Sequence, residues 1–229
     1  MSHLDTELTE LKAEIIKMWA LVNNQLRKAQ EALLSLDKDL AHEVISHEKR
    51  VNAYELKLDR DCENIFALFN PVAVDLRFVL ATLKINTNIE RTGDIAAGIA
   101  KFVVNVDNSF DKELLTLTRV DEMYSAAINM MEDVLEAFEN EDTVKARGVF
   151  KQDGLLDKIN EAANKTIANY IRENVDQIDE AMYLLSTIRK LERVGDQAKN
   201  MAEEIIFYIE AKVLKHRSTK EKVKTPKAE

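Results

Sequence analysis

The apolar positions Leu4, Leu8, Leu11, Ile15, Met18, Val22, Leu26, Ala29, Leu33 and Leu36 alternate steps of four and three. A seam that returns every ~3.5 residues marks a helix packed in a bundle or coiled coil. Residues 36–39 offer a short turn, and a second helix is expected to run to about Phe69, with Val44, Val51, Leu58 and Ile65 at sevenfold spacing. Asn70 and Pro71 suit the N-cap and first position of a third helix, expected over residues 71–104. Turn formers fill residues 105–109. The plan then repeats, with helices expected at about 114–139, 142–173 and 177–214. Helices of about 30 residues are ~45 Å long, and short loops make neighbours antiparallel. The pattern therefore predicts an all-α fold of two pseudo-symmetric antiparallel three-helix bundles built from an internal repeat. Residues 1–108 form the first repeat, 109–214 the second, and 215–229 a basic tail too poor in apolar residues to pack.

The repeat is sharpest where it is least helpful to a helix. Glu90-Arg91-Thr92-Gly93-Asp94 returns as Glu192-Arg193-Val194-Gly195-Asp196, 102 residues later. Like charges four apart cost a helix about 0.2–0.5 kcal/mol, and an interior glycine costs about 1 kcal/mol against alanine. With 41 acidic residues in 229, chance alone supplies roughly seven carboxylate pairs at that spacing, so the spacing by itself is weak. Four identities in five residues at matching places in two halves are much stronger.

The buried stripe of the third helix runs through Ile85, Ile89, Thr92, Ala96, Ile99 and Val103. That of the sixth runs through Leu184, Ile188, Leu191, Gly195, Ala198 and Ala202. Glu90, Asp94, Glu192 and Asp196 then fall about 100° around the helix, at the margin of each stripe. A neighbouring helix would partly cover them. Glu48-x-x-x-Asn52 and Asp153-x-x-x-Asp157, offset by 105 residues, are the facing pairs expected on the second and fifth helices. Carboxylates gathered so closely need a cation or raised pKa values. Oxygen-only donors favour a hard cation such as magnesium, manganese or iron. Gly93 and Gly195 serve either to make room for the ion or to let helices approach. Arg91 and Arg193 either orient the carboxylates or are solvated ion-pair partners.

Composition removes most rival chemistries. A net charge of −9 argues against nucleic-acid binding. The single cysteine, Cys62, excludes a disulfide framework and reads as a packing residue. Met1 to Glu10 carry three acids and no apolar block, and no run is long enough to span a bilayer, so a cytoplasmic protein without membrane insertion is expected. His3, His42, His47 and His216 lack the Glu-x-x-His pattern of a di-iron bundle, and His42 and His47 read as surface residues of the second helix. No Gly-rich phosphate loop or activated nucleophile is present, and Trp19 continues the first seam as a packing residue.

The chain resembles the PhoU family of regulators associated with bacterial phosphate-specific transport. The likeness covers residues 4–214 and rests on the duplicated Glu-Arg-x-Gly-Asp motif, on Asp153-x-x-x-Asp157 and on Pro71-Val72-Ala73-Val74-Asp75-Leu76-Arg77. It implies paired three-helix bundles, each with a multinuclear metal site holding iron or zinc. It further implies no catalysis, a dimer, and negative regulation of phosphate-starvation signalling by linking a phosphate ABC transporter, through its ATPase subunit, to a sensor histidine kinase. By position, Glu90, Asp94, Glu192 and Asp196 are the principal ligands, and Asp153, Asp157 and Glu48 the supporting ones. Asn52 breaks the acidic pair of the first half, which puts full metal loading there in doubt. A helical scaffold, or an adaptor for a different phosphate transporter without a functional metal site, is the alternative.

Overall fold

The computed structural model describes residues 2–214; the basic tail expected at 215–229 lies outside the described residues. The chain runs α1 (His3–Ser35), α2 (Lys38–Ser46), α3 (Glu48–Phe69), α4 (Ala73–Asn105), α5 (Lys112–Thr118), α6 (Val120–Asn140), α7 (Thr143–Glu173), a 3-10 turn (Val175–Gln177) and α8 (Ile178–Glu210). No strand occurs among the described residues. The fold is the expected all-α one, with α1, α2/α3 and α4 in the first repeat and α5/α6, α7 and α8 in the second.

Local chemistry sets the turns. Ser2 caps α1 in a reciprocal capping box with Asp5. Leu36 closes α1 in a left-handed conformation, and the Asp37 carboxylate starts α2 by accepting from the Leu40 N–H at 2.9 Å. Asp142 opens α7 in the same way, accepting from the N–H groups of Val144 and Lys145.

Three expectations need correction. The second helix is interrupted at His47, and the fourth begins at Lys112 and breaks at Arg119, which adopts φ 53°. At the α3–α4 turn, Asn70 does not cap the third helix. It ends α3 in the left-handed region at φ 44°, ψ 58°, and α4 starts at Ala73 behind Val72, whose side chain makes no cap bond. Asparagine tolerates that region better than most residues, so the same side chain that suits an N-cap also suits a helix exit. Pro71 accordingly lies in the extended link between helices rather than in the first turn of α4.

The core is continuous across both repeats. Every expected stripe position on α4 and α8 is buried. Trp19 and Cys62 pack inside, while His42 is exposed. An aromatic cluster joins the halves. Phe138 of α6 lies 5.8 Å from Trp19 of α1, 6.1 Å from Phe78 of α4 and 6.1 Å from Tyr208 of α8, ring centre to ring centre. Repeats that share one packed core unfold together. Phe138→Ala is expected to cost about 3–5 kcal/mol and to leave a single cooperative transition in chemical denaturation followed by circular dichroism. Two resolved transitions would show the repeats to be independent.

Candidate functional site

The four motif acids sit at the edge of the core, as their spacing demands. Glu90, Glu192 and Asp196 are half-buried and Asp94 is exposed. What covers them follows from the two motif glycines. A Cβ on Gly93 would lie 3.3 Å from Val51 Cγ1 and 3.4 Å from Val22 Cγ2, so α3 and α1 press on α4 at this point. A Cβ on Gly195 would lie only 2.6 Å from Leu156 Cδ2 and 3.2 Å from Asp153 Oδ1, so α7 meets α8 even more closely. Both glycines are therefore explained by close helix packing.

In the first repeat, the Glu90 and Asp94 carboxyls stand one turn apart on α4 and act on each other electrostatically, and Glu55 of α3 adds its charge. Burial, then Asp94 and Glu55, push the Glu90 carboxyl up to about 7. Glu55 is raised as well, by burial and then by Asp59 and Asp94. The register is latched by Asn86, one turn before Glu90. Its Nδ2 donates to the Glu55 carbonyl at 3.0 Å and to Asp59 Oδ1 at 2.9 Å. Glu48 is placed elsewhere, in an ion pair with Lys101 at 3.2 Å, and Asn52 is exposed.

In the second repeat an internal cation sits among the acids. Lys199 Nζ lies 2.5 Å from Asp153 Oδ2 and 2.8 Å from Asp196 Oδ1, bridging α7 and α8. Burial opposes its charge, but the bonds to Asp153 and Asp196 outweigh that and push the ammonium up to about 12. Glu192 is raised by burial and then by Asp196, with Asp157 and Asp153 adding to the effect against Lys199. Asp153 is itself raised by burial despite Lys199, and its Oδ1 is a buried oxygen with no hydrogen-bond partner.

Sequence reasoning missed Glu55, Asp59, Asn86 and Lys199. The signal for the first two was present. At the motif's own offset of 102, rather than 105, Asp157 corresponds to Glu55, Glu161 to Asp59 and Asp153 to Val51. Among the described residues, no three histidine, cysteine or carboxylate side chains already stand in a metal-ready group. Oxygen donors nonetheless meet in each half. Glu90, Asp94 and Glu55 crowd one another in the first, and Asp153 and Asp196 share one cation in the second.

Fold and site define a duplicated helical bundle with one acidic cluster on each repeat. The PhoU domain model matches residues 15–103 and 120–205, and the chain belongs to the PhoU family. It is 31% identical over 94% of its length, and 92% of the relative's, to a phosphate-specific transport system accessory protein PhoU homolog of Burkholderia sp. It is 30% identical to the phosphate-specific transport system accessory protein PhoU of Escherichia coli K12, over 93% of this chain and 87% of that one. The crystal structure of PhoU from Pseudomonas aeruginosa superposes with a TM-score of 0.86 at 27% identity, over 92% of this chain and all (100%) of that one. The phosphate transport system regulatory protein PhoU from Streptococcus pneumoniae gives 0.82 at 29% identity, over 92% and 99% of the two chains. PhoU proteins are regulatory accessory proteins, and this chain is not an enzyme. No helix among the described residues is long and apolar enough to cross a membrane.

The raised Glu90 carboxyl has a consequence for stability. Its protonated form is preferred in the folded state, so its contribution is full below the ordinary value of 4.5 and is lost as pH rises through about 7. The melting temperature of chelator-treated protein is expected to fall across that window, and Glu90→Gln to flatten the fall. Parallel profiles for the two proteins would refute the assignment.

Proposed function

We propose that this chain is a metal-binding regulatory adaptor for phosphate uptake, which restrains phosphate-starvation signalling by linking a phosphate ABC transporter to a sensor histidine kinase. Membership of the PhoU family and the names of its relatives support the regulatory role. One observation carries the metal reading: buried and half-buried carboxylates are crowded in both repeats and are neutralised by whatever is at hand. In the first repeat that is a proton, which Glu90 holds to a higher pH than usual, and in the second it is the Lys199 ammonium. A hard cation such as iron, manganese or magnesium, or zinc, does the same work with more charge.

Glu90, Asp94 and Glu55 would hold it in the first repeat. In the second, Asp153, Asp157, Glu192 and Asp196 would hold it once Lys199 swings away. Glu48 takes a lesser part, since Lys101 engages it. When bound, the metal would pin α3 to α4 and α7 to α8 through their acids. The partners of this reading are the transporter's ATPase subunit, the sensor kinase and a second copy of the chain, met in the cytoplasm without nucleic acid or membrane insertion.

A second reading has its own support. Lys199 already satisfies Asp153 and Asp196, so the helices hold together as a scaffold without metal, including one serving a different phosphate transporter. Elemental analysis after dialysis separates the two. Metal content is expected to drop by about half in Glu90→Ala/Asp94→Ala with helicity retained, and to rise in Lys199→Met. Equal metal content in wild type and both variants would leave the scaffold reading standing.

A further inference from the structure

The repeats meet along α4 and α8, and two grooves open beside that junction. They are related by the internal repeat. Lys101, Lys190 and Gly98 line one, and the residues 102 positions away, Glu203, Asn88 and Asn200, line the other. The fold is thus repeated while the charge is not. The groove with Glu203 and Glu204 is balanced in charge, because Lys84, which pairs with Glu204 at 3.0 Å, and Arg91, which lines both grooves, face the two acids. The other, of about 370 Å³, gathers Arg91, Lys101, Lys190 and Arg193 against Glu48 and Asp94. Four cations facing two carboxylates is a local excess of two positive charges on a chain of net charge −9.

One of the two carboxylates is already engaged. Glu48 takes Lys101 at 3.2 Å, which leaves Arg91, Lys190 and Arg193 facing the exposed Asp94. Among the described residues, no ion pair or hydrogen bond engages the side chains of Arg91, Arg193 or Lys190. Lys190 is the most constrained of these. Its ammonium stands 5.5 Å over the Phe102 ring, and a Cβ on Gly98 would lie 2.7 Å from its Nζ. A methyl group there would displace the ammonium, at little cost because it ends a flexible chain. A half-buried amine beside two guanidinium groups, with Asp94 the one carboxylate left to face them, leaves two positive charges unmatched.

We propose that this groove binds a tetrahedral phosphate-class oxyanion, held by Lys190, Arg91 and Arg193. Guanidinium forks match paired phosphoryl oxygens, and a phosphoryl group of about −1.5 to −2 at neutral pH offsets the excess charge. The site joins one motif arginine from each repeat, so an anion there would clamp α4 to α8. This needs no metal, although Asp94 and Glu48 of the first acidic cluster line the same groove.

The test is titration calorimetry of chelator-treated full-length protein at low chloride, with inorganic phosphate and glucose 6-phosphate as separate probes. Saturable binding of one anion per chain is expected, weakened at least tenfold by Lys190→Met and by Arg193→Gln. Gly98→Ala should weaken it too without removing a charge, whereas Lys84→Met in the opposite groove should not. Binding of the ester but not of inorganic phosphate supports the site and assigns it to an esterified phosphoryl group. Absence of saturable heat from both probes, or equal affinity in the correctly folded variants by circular dichroism, overturns the proposal. Because every run is metal-free, its failure would leave the metal reading untouched.

Discussion

The close approach of α3 to α4 and of α7 to α8 is the constraint on which the rest depends. Gly93 and Gly195 permit it, because any side chain at either place would press on Val51 or on Leu156 and Asp153. Once the helices are this near, acids on facing helices can no longer be solvated separately. Their mutual repulsion and their burial must be offset locally, since an unpaired charge out of water is far more costly than a helix-weakening residue. The penalties of an interior glycine and of like charges one turn apart are small beside the packing of 33-residue helices such as α4 and α8.

The two repeats solve the same electrostatic problem differently. In the second, Lys199 reaches into the acids from the next turn of α8. In the first, the residue at the same place in the repeat is Ala97, which carries no charge, and the Glu90 carboxyl is instead held toward its neutral form by burial and by Asp94. Val51 likewise stands where Asp153 stands in the second half, so the first cluster lacks a counterpart of that buried acid and keeps Glu55, the counterpart of Asp157. Duplication has conserved the helical frame and the motif, and the side chains that answer the motif have diverged.

A similar divergence marks the grooves between the repeats. Matching backbone positions carry Lys101 and Glu203, Lys190 and Asn88, Gly98 and Asn200. The frame requires only that these positions be tolerated at a helix margin, and a lysine or an asparagine meets that equally well. Charge is therefore free to differ where packing is not. The shared core around Phe138, with Trp19 and Phe78 from one repeat and Tyr208 from the other, packs the two repeats together.

Much of this was legible along the chain. A 3.5-residue seam, a buried stripe and a doubled motif are periodic properties, and periodicity alone assigns helices, their inward faces and the marginal position of Glu90, Asp94, Glu192 and Asp196. It also indicated Trp19 and Cys62 as packing residues. What periodicity does not contain is the vertical register of one helix against the next. A slip of three residues is about 4.5 Å of helix, enough to replace Asn52 by Glu55 opposite the motif. That register was decided by the Asn86 latch, the glycine contacts and the left-handed exit at Asn70. The ammonium of Lys199 and the cationic groove with Lys190 belong to the same category: each depends on which distant residues a folded helix pair brings within a few ångströms, and tertiary packing alone sets that distance.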